Sequence, residues 1–179
     1  GIFNGTSNYI LSSMDKNKQD FLDVLKKAQQ LGYAESNPST DLNGDDVSAK
    51  LKILSSLCFN SFLNNNIHVE GIKNIDKNDI ENANNLGYKI KLLGFAELIG
   101  RNIYQRVHPT LIDKNSYVGS IDGVLNAVII DGKPIGKITI QGEGAGPAAT
   151  TSALVSDISS ILRGNIKFPF SISNRERKK

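Results

Sequence analysis

Phe21, Leu25, Ala28 and Leu31 fall on one helical stripe within residues 16–31, and Gly32 follows as a C-terminal stop. Val47, Leu51, Leu54 and Leu57 repeat that spacing from about Gly44 to Phe59. Two such stripes pack on each other and leave the connecting segment, 32–45, at the surface or in a cleft. Another helix is expected to start near Asn8, with Thr6 and Ser7 available to cap it. "NIHVEGI" (66–72) reads as a strand, and "KNDIENANNLG" (77–87) as a short helix stopped by Gly87. "YKIKLLGFAELIG" (88–100) alternates as a strand does, and "NIYQRVHPTLI" follows the Gly100-Arg101 turn as its hairpin partner. "LNAVIIDGKPIGKITIQG" predicts a second hairpin, joined across Asp131-Gly132. Pro147 opens a last helix and Gly164 closes it. Helices first, then hairpin-connected strands, then a helix predict an α+β fold: a mixed, largely antiparallel β-sheet with helices packed on one face.

Composition changes this picture little. With 179 residues, 39% hydrophobic and 22% charged, the chain suits one globular domain with a sizeable core. The net charge of +3 sits wholly in residues 173–179, where Arg175, Arg177, Lys178 and Lys179 face only Glu176. A neutral body over 1–172 with a short basic tail, a frayed end or a linker, offers no basic face for nucleic acid. No apolar run approaches a membrane span, and no signal peptide is visible. The single cysteine, Cys58, excludes an internal disulfide and suits a reducing compartment; within "LKILSSLCF" it is expected to be a small buried hydrophobe. The chain begins at Gly1, directly inside sequence that reads as ordered, as a piece of a longer protein would.

Three stretches could carry chemistry. "LGYAESNPSTDLNGDDVSAK" (31–50) gathers Glu35, Asp41, Asp45 and Asp46 before Lys50. Asp46 and Lys50 stand at i, i+4 on a helix, close enough to pair. The spacing alone suits a surface ion pair at a helix N-terminus; the neighbouring loop with Glu35 and Asp41 suits instead a lysine oriented by carboxylates to give a proton to a developing alkoxide. "GIFNGTSNYIL" (1–11) is a turn feeding a helix, or a small anion site built from backbone N–H groups. "ITIQGEGAGPAATTSALV" sets Gly142, Gly144 and Gly146 between a strand and a helix. The glycine spacing does not match G-x-G-x-x-G, and too little chain follows for the βαβ unit around a dinucleotide, so this turn can touch a cofactor without being its main fold. His68 and His108 lie in strand-like segments without partner motifs, no pattern supports a metal site, and no G-x-S-x-G anchors a serine hydrolase.

Together these stretches resemble the catalytic, substrate-binding domain of homoserine dehydrogenase. The first is similar to that family's G-x-x-N/S-G-T-x-N/S-Y-I segment. The acidic stretch is similar to its longest signature, L-G-Y-x-E-x-D/N-P-x-x-D-L/V-x-G-x-D-x-x-x-K, and "GEGAGPAATTSALVSDI" to its closing G-x-G-A-G segment. Asn37 stands where many relatives carry aspartate. The matches run in order from residue 1 to about 163.

The resemblance implies NAD- or NADP-dependent interconversion of L-aspartate 4-semialdehyde and L-homoserine, on the way to threonine and methionine, in the cytoplasm. By position, Lys50 matches the proton donor to the carbonyl oxygen and Asp46 the aspartate that orients it. Glu35 matches the carboxylate that binds the substrate ammonium; Asp41, Tyr33, Gly5 and Thr6 match other substrate-lining positions. Gly146 matches a glycine beside the cofactor. The family's nucleotide-binding domain is expected to precede this segment, so the chain alone would hold the substrate side of a site and transfer no hydride. A homodimer through the sheet is also implied, with 88–100 and 124–140 as candidate strands. Two other readings remain: a non-catalytic dimerisation domain of the same fold, and another two-domain dehydrogenase of similar architecture.

Overall fold

The computed structural model describes residues 1–61 and 67–165. Among the described residues six helices and five strands follow in the order α1 (Gly5–Asn17), α2 (Phe21–Gln30), α3 (Ser39–Leu42), α4 (Asp45–Cys58), β1 (His68–Val69), α5 (Lys77–Asn85), β2 (Tyr88–Ile99), β3 (Asn102–Asp113), β4 (Leu125–Gly132), β5 (Gly136–Glu143) and α6 (Pro147–Leu162). The fold is α+β. The antiparallel β2–β3 hairpin, extended by β1 running parallel to β3, forms one sheet; the antiparallel β4–β5 hairpin forms the other.

Residues 1–3 join the two sheets. Gly1 exchanges backbone hydrogen bonds with Gly94 of β2, at 2.7 and 3.0 Å. Ile2 exchanges them with Ala127 of β4, at 2.8 and 2.9 Å. Gly94 has to be glycine, because a Cβ there would stand 2.6 Å from the Phe3 ring.

Several boundaries differ from the pattern reading, each for a local reason. The helix expected over 16–31 is divided, because Lys18 turns left-handed (φ 53°) and ends α1, and α2 starts at Phe21 after the extended Asp20. Val24 and Ala28 are the fully buried residues of α2, whereas Leu31 is exposed at its C-terminal end. The first helix starts at Gly5, not near Asn8: Asn4 is the cap, its side chain accepting from Ser7 N at 2.8 Å. Of the strand expected over 66–72 only His68–Val69 pairs, and residue 66 lies outside the described residues. In the second hairpin Asp131 and Gly132 belong to the ladder, opposite Lys137 and Gly136, and the turn passes through 133–135. Pro134 has no N–H to give a ladder and therefore sits in the turn. Cys58 is exposed, at the last turn of α4, rather than buried. The basic tail over 173–179 lies outside the described residues.

The main core gathers Ile10, Leu11 and Met14 of α1, Val24 and Ala28 of α2, Val47 and Leu51 of α4, Ile80 of α5, and Leu92 and Val107 of the sheet. The segment between β1 and α5 closes over α3 so tightly that a Cβ on Gly71 would stand 2.0 Å from Leu42 O. Neither partner atom can retreat without moving backbone. Gly71→Ala is therefore expected to destabilise the fold by about 1–3 kcal/mol, read as a lower thermal midpoint.

One polar cluster penetrates the core. Lys91, whose side chain is 1% exposed, donates from Nζ to Asn8 Oδ1 at 3.0 Å, Ile121 O at 2.6 Å and Asp122 Oδ1 at 2.8 Å. It ties α1, β2 and the approach to β4 to one ammonium.

Candidate active site

Three local structures converge on a cavity of about 520 Å³: the turn into α1, the α3–α4 corner, and the β5–α6 turn. Gly44, at φ 86°, supplies the left-handed corner that brings Asp41 of α3 back toward the first turn of α4. Asn4 then ties the two acids together, its Nδ2 donating to Asp41 Oδ1 at 2.7 Å and Asp46 Oδ2 at 2.8 Å. Ser7 Oγ adds a bond to Asp41 O at 3.0 Å.

Lys50 stands one turn along α4. Its Nζ donates to the same Asp46 Oδ2 at 2.8 Å and to Phe3 O at 3.0 Å. An ammonium has three hydrogens, so two are held and one remains for a ligand. The Lys50 and Asp46 side chains keep 44% and 28% of their exposure. A pair that open adds ~0.3–0.5 kcal/mol at most to stability, so its consequence is orientation of the ammonium rather than support of the helix.

The opposite wall is mostly backbone. Thr6 Oγ1 donates to Tyr33 O at 2.6 Å, which fixes the 31–33 segment over the cavity, and the Tyr33 ring tilts against Tyr9 at 5.0 Å. Gly5 packs so closely on the turn before β4 that a Cβ would stand 2.7 Å from Val124 O. Gly146 caps α6 at φ 109°, a backbone state that favours glycine, and Pro147 begins the helix.

Of the residues singled out in the sequence, Gly5, Thr6, Tyr33, Asp41, Asp46, Lys50 and Gly146 line this one cavity. Glu35 is exposed and lies outside the lining; the Gln29 side chain donates to its backbone oxygen at 3.0 Å. Asn4, Asn126 and Glu143 also line the cavity and were not singled out. Asn4 carried a signal, since asparagine before Gly-Thr-Ser is a strong helix cap. Asn126 carried none, because its place follows from the β4–β5 register, which sets it opposite Gly142. Glu143 lies inside the glycine motif, whose pattern marks only its glycines.

The family model described as homoserine dehydrogenase matches residues 1–159. The chain belongs to the homoserine dehydrogenase family. It is 46% identical over 164 residues to the homoserine dehydrogenase of Neisseria gonorrhoeae, and 47% identical over 164 residues to that of Helicobacter pylori, each match covering 91% of this chain. Those alignments take in 38% and 39% of the two relatives, so the chain spans well under half their length. Among solved structures it superposes on a homoserine dehydrogenase from Thiobacillus denitrificans with a TM-score of 0.86 at 42% identity, covering 93% of this chain and 39% of that one. A hyperthermophilic archaeal homoserine dehydrogenase mutant, solved in complex with NADPH, is similar with a TM-score of 0.67 at 25% identity, over 89% of this chain and 45% of its own. Among the described residues, no helix is long and apolar enough to cross a membrane.

Proposed function

We propose that this chain is the substrate-side half of an NAD- or NADP-dependent homoserine dehydrogenase, interconverting L-aspartate 4-semialdehyde and L-homoserine. The observation that carries this reading is the Lys50 ammonium, fixed by Asp46 and the Phe3 carbonyl with one hydrogen left for the polar cavity. Reduction of an aldehyde puts negative charge on one oxygen. Lys50 meets that charge and transfers its proton as the alkoxide forms; in oxidation the uncharged amine takes the hydroxyl proton back. Asp46 keeps the ammonium aimed and Asn4 keeps Asp46 from turning away.

The residues near the β5–α6 turn fit a nicotinamide. Gly144 and Gly146 give the cavity a wall of bare backbone that a flat ring can approach. When bound, that cofactor supplies or accepts the hydride; most of its contacts belong to a preceding nucleotide-binding domain, and this chain alone is expected to bind substrate without turning it over. The sheet is the candidate homodimer surface, supported by exposed Phe95, Leu98 and Tyr104 on β2–β3 and Ile138 and Ile140 on β5. A single free cysteine suits a cytoplasmic enzyme.

The test is to place the nucleotide-binding portion of the Neisseria gonorrhoeae relative ahead of Gly1 and follow reduced nicotinamide with homoserine as substrate. Turnover supports the reading. A folded, cofactor-binding chimera with no turnover would sink it and favour a non-catalytic dimerisation domain. Glu35, assigned by family resemblance to the substrate ammonium, has its own test. Glu35→Gln removes one charge-assisted contact and is expected to raise KM for homoserine roughly 10–100-fold. Its thermal midpoint should barely move, because Glu35 is exposed. A lower midpoint with an unaltered KM would release Glu35 from that role.

A further inference from the structure

We propose that Asn126 is a positioning residue for Lys50, acting through the carbonyl of Phe3 and locked in place by Gly144; this rests on the reading of Lys50 as the proton-transfer group. Phe3 O accepts from Lys50 Nζ at 3.0 Å and from Asn126 Nδ2 at 3.4 Å. One backbone oxygen thus anchors both the ammonium and the amide. Phe3 has no other hydrogen bond at that oxygen among the described residues, and it belongs to the segment spliced between the sheets, so the amide is its lateral restraint on the cavity side.

Gly144 fixes the amide. A Cβ on residue 144 would stand 1.8 Å from Asn126 Nδ2, far inside contact distance. Because Gly144 presents only hydrogen, the amide can lie this close to the β5–α6 turn. Among the described residues Asn126 Oδ1 is buried with no hydrogen-bond partner, an arrangement that is unfavourable unless something in the occupied site donates to it. A group that only filled space would not need to carry that burden. The amide therefore links two parts of the cavity: the glycine turn on one side and the proton-transfer lysine on the other.

The test begins with this chain, labelled with carbon-13 at lysine Cε, the Lys50 signal being assigned from its loss in Lys50→Arg. Asn126→Ala and Gly144→Ala are each expected to move the Lys50 signal and to leave that of Lys91 in place. In the two-domain enzyme each is expected to lower kcat by up to about 10²-fold, the loss that misplacement by about 1 Å brings. KM should change by less than about threefold, since the ground-state contacts stay. Asn126→Asp keeps the shape and removes the donor; it should lose kcat as Asn126→Ala does. The pair should also be non-additive. Once Asn126 is alanine, a methyl on residue 144 stands 3.4 Å from the remaining Cβ and fits, so Gly144→Ala should then do little further harm.

Full activity in Asn126→Asp would make the residue a packing element and overturn the proposal, as would unmoved Lys50 signals or strictly additive losses. If the two-domain enzyme fails to oxidise homoserine while the Lys50 signals respond as stated, the reaction reading falls and the coupling of Asn126 to Lys50 stands.

Discussion

Lys50→Ala is expected to lower homoserine turnover in the two-domain enzyme by about 10²–10⁴-fold, the usual range for a lost general acid–base group. Its fold should survive. Removing the side chain frees Asp46 Oδ2 of one donor, but that oxygen keeps the bond from Asn4, and Phe3 O keeps the one from Asn126. The lost ion pair is open to water and contributes little stability. A circular dichroism melt close to wild type, with turnover nearly gone, is therefore the expected pair of results. Lys50→Arg sharpens the reading. Arginine retains a positive charge able to pair with Asp46 but does not release a proton at working pH. Substantial activity in Lys50→Arg would show that charge alone suffices; activity in Lys50→Ala equal to wild type would remove the residue from the chemistry.

The second large effect is on folding. Lys91→Ala is expected to destabilise the protein by about 2–5 kcal/mol, because Asn8 Oδ1 would be left in the interior without a donor, Ile121 O would keep only the bond from Asn8 Nδ2, and the volume of the buried side chain would be lost. For a chain of this size that lowers the thermal midpoint on the order of 10 °C. Asp122 contributes less to the loss, since its side chain is 48% exposed and water can take over its solvation.

The pH response follows from the same cluster. Burial alone would raise the Asp122 carboxyl, but the ammoniums of Lys91 and Lys89 outweigh it and hold the group below its ordinary value. Such a group contributes stability above the unfolded carboxylate range, near pH 3.9, that is lost as pH falls through the lower folded value. Burial lowers the Lys91 ammonium, against the opposing pull of Asp122. There the unfolded chain binds more protons, so stability rises with pH between the lowered value and about 10.4. Lys91→Ala should flatten both limbs in urea melts taken across pH; a variant as pH-sensitive as wild type would place the titrating groups elsewhere.

Where periodicity and turn chemistry act locally, the sequence was a sufficient guide. The stripe through Val47 and Leu51 predicts α4, and Asp46 with Lys50 emerges on it at the expected spacing. The β2–β3 hairpin turns at Gly100, whose φ of 64° is what the Gly-Arg turn implied. What pattern could not give was pairing between distant segments. The sheet-joining role of Gly1 and Ile2 depends on Gly94 and Ala127, and nothing in "GIFNG" announces it. Asn126 and the buried Lys91 were hidden for the same reason. Lys91 sits in an alternating strand where lysine reads as solvent-facing, and only the meeting of Asn8, Ile121 and Asp122 makes its interior place tolerable. The assignment of Glu35 to a substrate ammonium rests on family resemblance alone, since Glu35 lies outside the cavity lining.

The splice of residues 1–3 between the sheets has a temporal side. Its bond from Gly1 to Gly94 spans 93 positions, and the Ile2–Ala127 exchange reaches further still. Loop closures of that length come late in folding. A helix carrying Asp46 and Lys50 can form early from neighbours alone, yet the oxygen that aims the lysine arrives only after strands near the far end have docked. Alignment of the Lys50 ammonium by Phe3 O is thus among the last features the chain acquires, later than the helix that carries it.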